Sequence, residues 1–148
     1  MREVVVHGIS ELQKEAVLFM DTVCPHERAF VIGLSGDLGA GKTTFAKHIA
    51  TVLGIEEHVT SPTFVIQKNY EISWNDFDEF IHIDAYRIET SDEMKVLKFE
   101  ETLRNKRNLI CIEWPEKIED ILPKDRETIL FETVDEDTRK LTFYGKEN

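Results

Sequence analysis

The chain has 148 residues, the size of one domain: too long for a disulfide-stapled miniprotein and too short for two ordinary domains. Its 41% hydrophobic content is enough for a buried core and excludes a wholly disordered chain. With 29 acidic residues against 18 basic ones, a net charge of −11, it is poorly made to grip a nucleic-acid backbone unaided, because phosphate contacts need a surplus of Lys and Arg.

The N-terminal Met-Arg-Glu-Val-Val-Val-His lacks the apolar run of a signal peptide, and no stretch approaches the roughly 18 apolar residues of a membrane span. A cytoplasmic protein with no membrane role is the expectation. Val4-Val5-Val6 is a short β-branched run. Ser10-Glu11-Leu12-Gln13 has the form of a capping box, followed by Leu12, Ala16, Phe19, Met20 and Val23 at helical spacing. Pro25 ends that element. Cys24 and Cys111 have neither CxxC spacing nor a metal pattern and read as small buried apolar residues.

Residues 29–34 (Ala-Phe-Val-Ile-Gly-Leu) read as a buried strand. Gly36-Asp37-Leu38-Gly39-Ala40-Gly41-Lys42-Thr43 then fits G-x-x-x-x-G-K-[ST] at every specified position, and a helix is expected from about 42 to 53 with Phe45, Ile49 and Val52 on one face. The glycines let backbone N–H groups turn inward as a nest for phosphate oxygens, and the helix N-terminus adds partial positive charge. The Lys42 ammonium can bridge β- and γ-phosphates, and the Thr43 hydroxyl can ligate Mg²⁺, which prefers oxygen. Chance produces the pattern in a chain of this length on the order of once in a few hundred.

Residues 63–70 and 80–84 read as strands flanking the polar stretch 71–79, a hairpin or a mobile loop. Residues 91–103 look helical, 108–114 make a second buried strand ended by Pro115, and 128–134 with 140–144 form a C-terminal hairpin around Asp135-Glu136-Asp137. The alternation predicts a three-layer α/β fold, a mixed sheet flanked by helices, over residues 1–148 as one P-loop domain.

Hydrolysis also needs a carboxylate at the end of a buried strand neighbouring the loop. Glu113 and Asp84 are the candidates. Arg87 is a charge stabiliser or a structural partner of a carboxylate, and spacing does not choose between the two. His82 reads as a packed histidine, since no second His lies at metal spacing. Ser61-Pro62-Thr63 is a plain turn or a loop whose hydroxyl senses the γ-phosphate.

Taken in order, the P-loop with Thr44-Phe45, then Thr60-Ser61-Pro62-Thr63-Phe64, His82-x-Asp84-x-Tyr86-Arg87 and Ile112-Glu113-Trp114-Pro115-Glu116, resemble the TsaE (YjeE) family, small bacterial P-loop ATPases of tRNA threonylcarbamoyladenosine biosynthesis. The resemblance covers about residues 8 to 144. It implies a P-loop NTPase-like fold in which Gly36, Asp37, Leu38, Gly39, Ala40, Gly41, Lys42, Thr43 and Thr44 hold ATP phosphates. By the same resemblance Thr43 and Glu113 hold Mg²⁺, and Asp84 joins Lys42 and Glu113 as a group needed for hydrolysis. Ser61, Thr63, Tyr86 and Arg87 belong to nucleotide-sensing switches, Trp114 lies close to the nucleotide, and Ser10, Glu11 and Arg139 match positions near the adenine end. The implied partners are TsaD and TsaB, with tRNA reached only through them.

Two other classes compete. A small-molecule P-loop kinase has similar size but usually an arginine-rich lid, for which Arg104-Asn105-Lys106-Arg107 is the best basic cluster. A nucleotide-gated binding module with negligible turnover would carry the same motifs. A GTPase is disfavoured because Asn105-Lys106-Arg107-Asn108 lacks the final carboxylate of Asn-Lys-x-Asp.

Overall fold

The structure, a computed structural model, describes residues 1–37, 39–56 and 67–145. Seven strands are found among them: β1 (Arg2–His7), β2 (Phe30–Gly36), β3 (Gln67–Trp74), β4 (Phe77–Asp84), β5 (Asn108–Glu113), β6 (Glu127–Thr133) and β7 (Thr138–Tyr144). They form one sheet in the order β1-β7-β6-β2-β5-β4-β3. The four central strands β6, β2, β5 and β4 are parallel, while β3, β7 and β1 join by antiparallel pairing. Helices α1 (Gly8–Met20) and α2 (Lys42–Val52) pack on one face. Two 3-10 helices, Ser91–Leu97 and Pro115–Ile121, and the short α3 (Phe99–Arg104) pack on the other. The expected three-layer α/β architecture with a mixed sheet and a C-terminal hairpin is what the chain adopts.

Strand β5 is buried along its whole length, which explains why its sequence is a continuous apolar run. Its side chains alternate between layers: Leu109 and Cys111 enter the α1/α2 core, Ile110 and Ile112 the opposite one. Phe45 of α2, fully buried, packs between Phe19 and Phe131 with ring centroids 6.2 and 5.4 Å away. This aromatic stack seats α2 over β2 and so aims its N-terminus at the carboxyl ends of the parallel strands.

Several elements differ from expectation. α1 starts at Gly8, not at Ser10, because Gly8 N–H donates to Asp137 O at 2.7 Å and Glu11 Oε1 accepts from the His7 N–H at 3.0 Å. Ser10 and Gln13 therefore lie inside the helix and form no capping box. Residues 71–79 take the hairpin alternative, with longer strands than expected: β3 continues to Trp74, Asn75 and Asp76 turn with φ of 48° and 68°, and β4 starts at Phe77. The stacked rings of Trp74 and Phe77 close this hairpin from the core side. The single helix expected over 91–103 is divided at Lys98, whose φ of 54° ends the 3-10 helix before α3 begins. Cys24 is exposed, whereas Cys111 is buried. Residues 63–66 of the expected 63–70 strand, with Ser61 and Thr63, lie outside the described residues.

Candidate active site

Parallel strands deliver their carboxyl ends to one edge of the sheet, and in β2, β5 and β4 those ends lie side by side. Leu34 is in register with Glu113, and Glu113 with Asp84. The ladder runs on beyond the strands, with Ala85 N–H donating to Glu113 O at 3.0 Å and Trp114 N–H to Leu34 O at 3.1 Å. The loop leaves β2 at Gly36 and enters α2 at Lys42 on this edge.

The loop tolerates only glycine at its start. Gly36 has φ of +139°, and a Cβ there would lie 2.4 Å from the Phe131 carbonyl oxygen of β6, an overlap with backbone. Gly41 precedes α2 with φ of +106° and has ordinary space around it, its built Cβ 3.7 Å from Leu12 of α1. Ala40 N–H donates to Asp37 O at 3.1 Å, which tightens the turn between them.

Lys42 begins α2 and is only 4% exposed. Its Nζ donates to Gly36 O and to Asp37 O, the latter at 3.1 Å, and lies 3.8 Å from the centroid of the Trp114 ring. Burial holds its pKa below the usual lysine value, against the opposing pull of Glu113, Glu116, Asp84 and Asp37. Four carboxylates thus face one ammonium.

Thr43 Oγ1 donates to Glu113 Oε1 at 2.8 Å, and the other oxygen of that carboxylate, Oε2, meets His82 Nε2 at 2.7 Å. Glu113 is 2% exposed and His82 fully buried. The contact with His82 is absent from the sequence reading; the only hint is that His82, Asp84 and Glu113 share one face of two adjacent strands. Cys111, one alternation before Glu113, has its thiol pushed well above the usual range by burial and then by Glu113, which leaves it an inert apolar filler.

The structure brings most remaining candidates to this edge. Asp84 ends β4 half-buried and accepts the Tyr86 N–H on Oδ1 at 3.0 Å. The Tyr86 and Trp114 rings approach to 5.0 Å, and Trp114 takes the left-handed φ of 61°, a conformation that costs of order 1–3 kcal/mol and is held by its surroundings. Ser35 Oγ donates to Glu116 Oε2 at 3.1 Å. Thr44 is half-buried on the first turn of α2, and Arg87 is exposed just beyond Asp84.

At the far side of the loop, Arg139 Nη2 donates to Gly39 O at 3.3 Å while Nη1 donates to Asp135 O and Thr138 O at 2.7 and 3.0 Å. The start of α1 is tied to the same turn, since His7 Nδ1 lies 3.0 Å from Thr138 Oγ1. Ser10 is exposed on the first turn of α1, Glu11 accepts from the His7 N–H, and Leu12 lies against the loop at Gly41. The basic cluster lies at the opposite end of the sheet, ahead of the amino end of β5: Arg104 pairs with Glu100, and Arg107 holds Asp78. That is the wrong edge for a lid over the loop.

Residues 9–141 match the family model described as threonylcarbamoyl adenosine biosynthesis protein TsaE. The chain is 41% identical over 113 residues to a Bacillus subtilis protein named tRNA threonylcarbamoyladenosine biosynthesis protein TsaE, a match covering 76% of this chain and 68% of that one. It is 35% identical over 136 residues to the protein of the same name from Rickettsia felis, covering 91% of this chain and 75% of that one. The crystal structure of YdiB from Bacillus superposes with a TM-score of 0.78 at 30% identity, covering 99% of this chain and 86% of that one.

Proposed function

The chain belongs to the TsaE family, and we propose that it is a Mg²⁺-dependent ATP-binding and hydrolysing protein of tRNA threonylcarbamoyladenosine biosynthesis. One observation carries the reading. The Thr43 hydroxyl spends its hydrogen on Glu113, which leaves its oxygen lone pairs for a cation, directly beside the Lys42 ammonium.

These donors suit Mg²⁺. Hydroxyl and carboxylate oxygens are hard ligands, and Mg²⁺ is ordinarily held by one or two protein groups together with substrate phosphates. Among the described residues no group of three or more His, Cys, Asp or Glu side chains is set to hold a metal alone, which fits sharing with a nucleotide. An anionic triphosphate entering a site with four carboxylates and one ammonium needs added positive charge. When held by Thr43 and Glu113, the ion would supply that charge.

The chain's own groups do the rest. Lys42 exchanges the carbonyls of Gly36 and Asp37 for phosphate oxygens, and the N-terminus of α2 adds its dipole. Asp84, in register with Glu113, is the group that orients or deprotonates an attacking water. Arg139 is bonded to Gly39 of the loop, and Ser10 and Glu11 lie near the start of α1; the three are assigned to the adenine end. Ser61 and Thr63, with Tyr86 and Arg87, are assigned to the nucleotide-sensing switches. The kinase alternative is weakened further, because the best basic cluster for a lid is at the other edge of the sheet and its arginines pair with Glu100 and Asp78.

Family membership supports a place beside TsaD and TsaB in the cytoplasm, with ATP turnover resetting that complex, and residues 1–148 acting as one domain. The net charge of −11 supports leaving tRNA to the partners. The deciding experiment reconstitutes threonylcarbamoyl transfer to tRNA over many turnovers with purified TsaD and TsaB. The expected result is sustained turnover with this chain and ATP, and a stall after roughly one round without it; equal progress in both arms rejects the coupling.

A further inference from the structure

We propose that His82 is a positioning residue for the metal-side carboxylate: it grips Oε2 of Glu113 and thereby turns Oε1 toward Thr43. The inference rests on the reading of Glu113 and Thr43 as the Mg²⁺ site and extends it inward by one layer.

The geometry is closed on every side. His82 sits mid-strand in β4, in register with Cys111 of β5 and Lys68 of β3, and is fully buried with the Phe80 ring 6.4 Å away. Its Nε2 is 2.7 Å from Glu113 Oε2, while Nδ1 is buried and has no hydrogen-bond partner among the described residues. A proton on Nδ1 would be a buried donor with nowhere to go, whereas a proton on Nε2 points at a carboxylate oxygen. The arrangement assigns the Nε2–H tautomer, with His82 as donor and Glu113 as acceptor.

A glutamate side chain is otherwise free to rotate its carboxylate about the last bond, since that torsion is broad. Here both oxygens are spoken for, Oε2 from the protein interior and Oε1 by Thr43 at 2.8 Å. The relay His82–Glu113–Thr43 crosses three elements, β4, β5 and α2, and ends at the first turn after the phosphate loop. Hydrogen bonds of this kind behind a metal ligand typically change metal affinity by roughly 10- to 100-fold when removed.

The test compares His82→Gln, whose amide N–H can stand where Nε2–H does, with His82→Leu, which has no donor, and with Glu113→Gln. Mn²⁺ affinity is read by EPR in the presence of ADP, ADP affinity is read separately in EDTA, and thermal unfolding of the metal-free protein controls for the fold. Expected is a loss of about 10-fold or more in Mn²⁺ affinity for His82→Leu, a loss under about threefold for His82→Gln, and ADP affinity in EDTA within about twofold for both. Unchanged Mn²⁺ affinity in His82→Leu, or equal losses in the Leu and Gln variants, overturns the positioning role. Unchanged Mn²⁺ affinity in Glu113→Gln overturns instead the metal assignment beneath it. Should His82→Leu fail to fold, histidine ¹⁵N spectra of the wild-type protein decide: a protonated Nε2 with a bare Nδ1 supports the relay, and the reverse tautomer rejects it.

Discussion

The Lys42 ammonium lies against the face of the Trp114 indole, 3.8 Å from its centroid, while its Nζ also donates to two carbonyls of its own loop. The group that would bind phosphate is therefore already fully engaged, and Trp114 is held in a left-handed backbone conformation beside it. A phosphate ligand has to draw Lys42 off the ring. Adding Mg·ATP is expected to change Trp114 emission in the wild type and in Trp74→Phe, and to leave Trp114→Phe without a response. Unchanged emission in Trp74→Phe, where Trp114 is the one tryptophan left, would show that the ring does not sense Lys42.

Lys42 also gives a pH signature. Its folded-state pKa is lowered from 10.5 by burial, so between that lowered value and 10.5 the unfolded chain binds more protons than the folded one. The cost of burying the charge is therefore present below the folded pKa and is relieved as pH rises through it. The stability difference between wild type and Lys42→Met should shift in favour of the wild type as pH rises toward 10.5. Nucleotide affinity should move the opposite way, because phosphate binding needs the ammonium. Parallel denaturant melts and ADP titrations across this range check both signs, and a pH-independent stability difference would show that burial does not perturb Lys42.

At the loop's start the constraint is steric. Gly36→Ala must place a methyl 2.4 Å from the Phe131 carbonyl oxygen, whereas Gly41→Ala meets only ordinary contacts and pays for its φ alone. The second costs about 1–3 kcal/mol, or a Tm loss of roughly 3–9 °C. Gly36→Ala is expected to lose at least twice as much as Gly41→Ala in the same calorimetric scan, and equal losses would mean that β6 yields to the methyl.

Asp84→Asn separates chemistry from binding. The amide oxygen can still accept the Tyr86 N–H that Asp84 Oδ1 accepts at 3.0 Å, so the turn after β4 is kept. If Asp84 handles the attacking water, ATPase rate should fall by about 10²–10⁴ with ATP affinity changed less than about fivefold. A rate within twofold of the wild type would move that role elsewhere.

The phosphate loop was legible in the sequence because its chemistry depends on residue type at fixed short spacing, and Glu113 and Asp84 were legible because each ends an apolar strand. The bond from His82 to Glu113 was not, since it links residues 31 apart through strand register, which no local pattern records. For a different reason the hairpin of β3 and β4 could not be told from a loop in the sequence. As an edge ribbon it exposes Glu71, Ser73, Asp76 and Asp78, and this polar face masks the core face of Tyr70 and Phe77. Lys98 likewise divides a segment whose composition favours helix throughout, a tertiary choice that propensity cannot anticipate.

The straight row Leu34, Glu113 and Asp84 across three parallel strands carries a further cost for the chain's evolution. Side chains alternate faces along a strand, so gaining or losing one residue within β4 or β5 would send the carboxylate into the Ile110–Ile112 layer and bring an isoleucine under the phosphate loop. Length variation has to fall in the connections, and only substitution can alter these strands while the site survives.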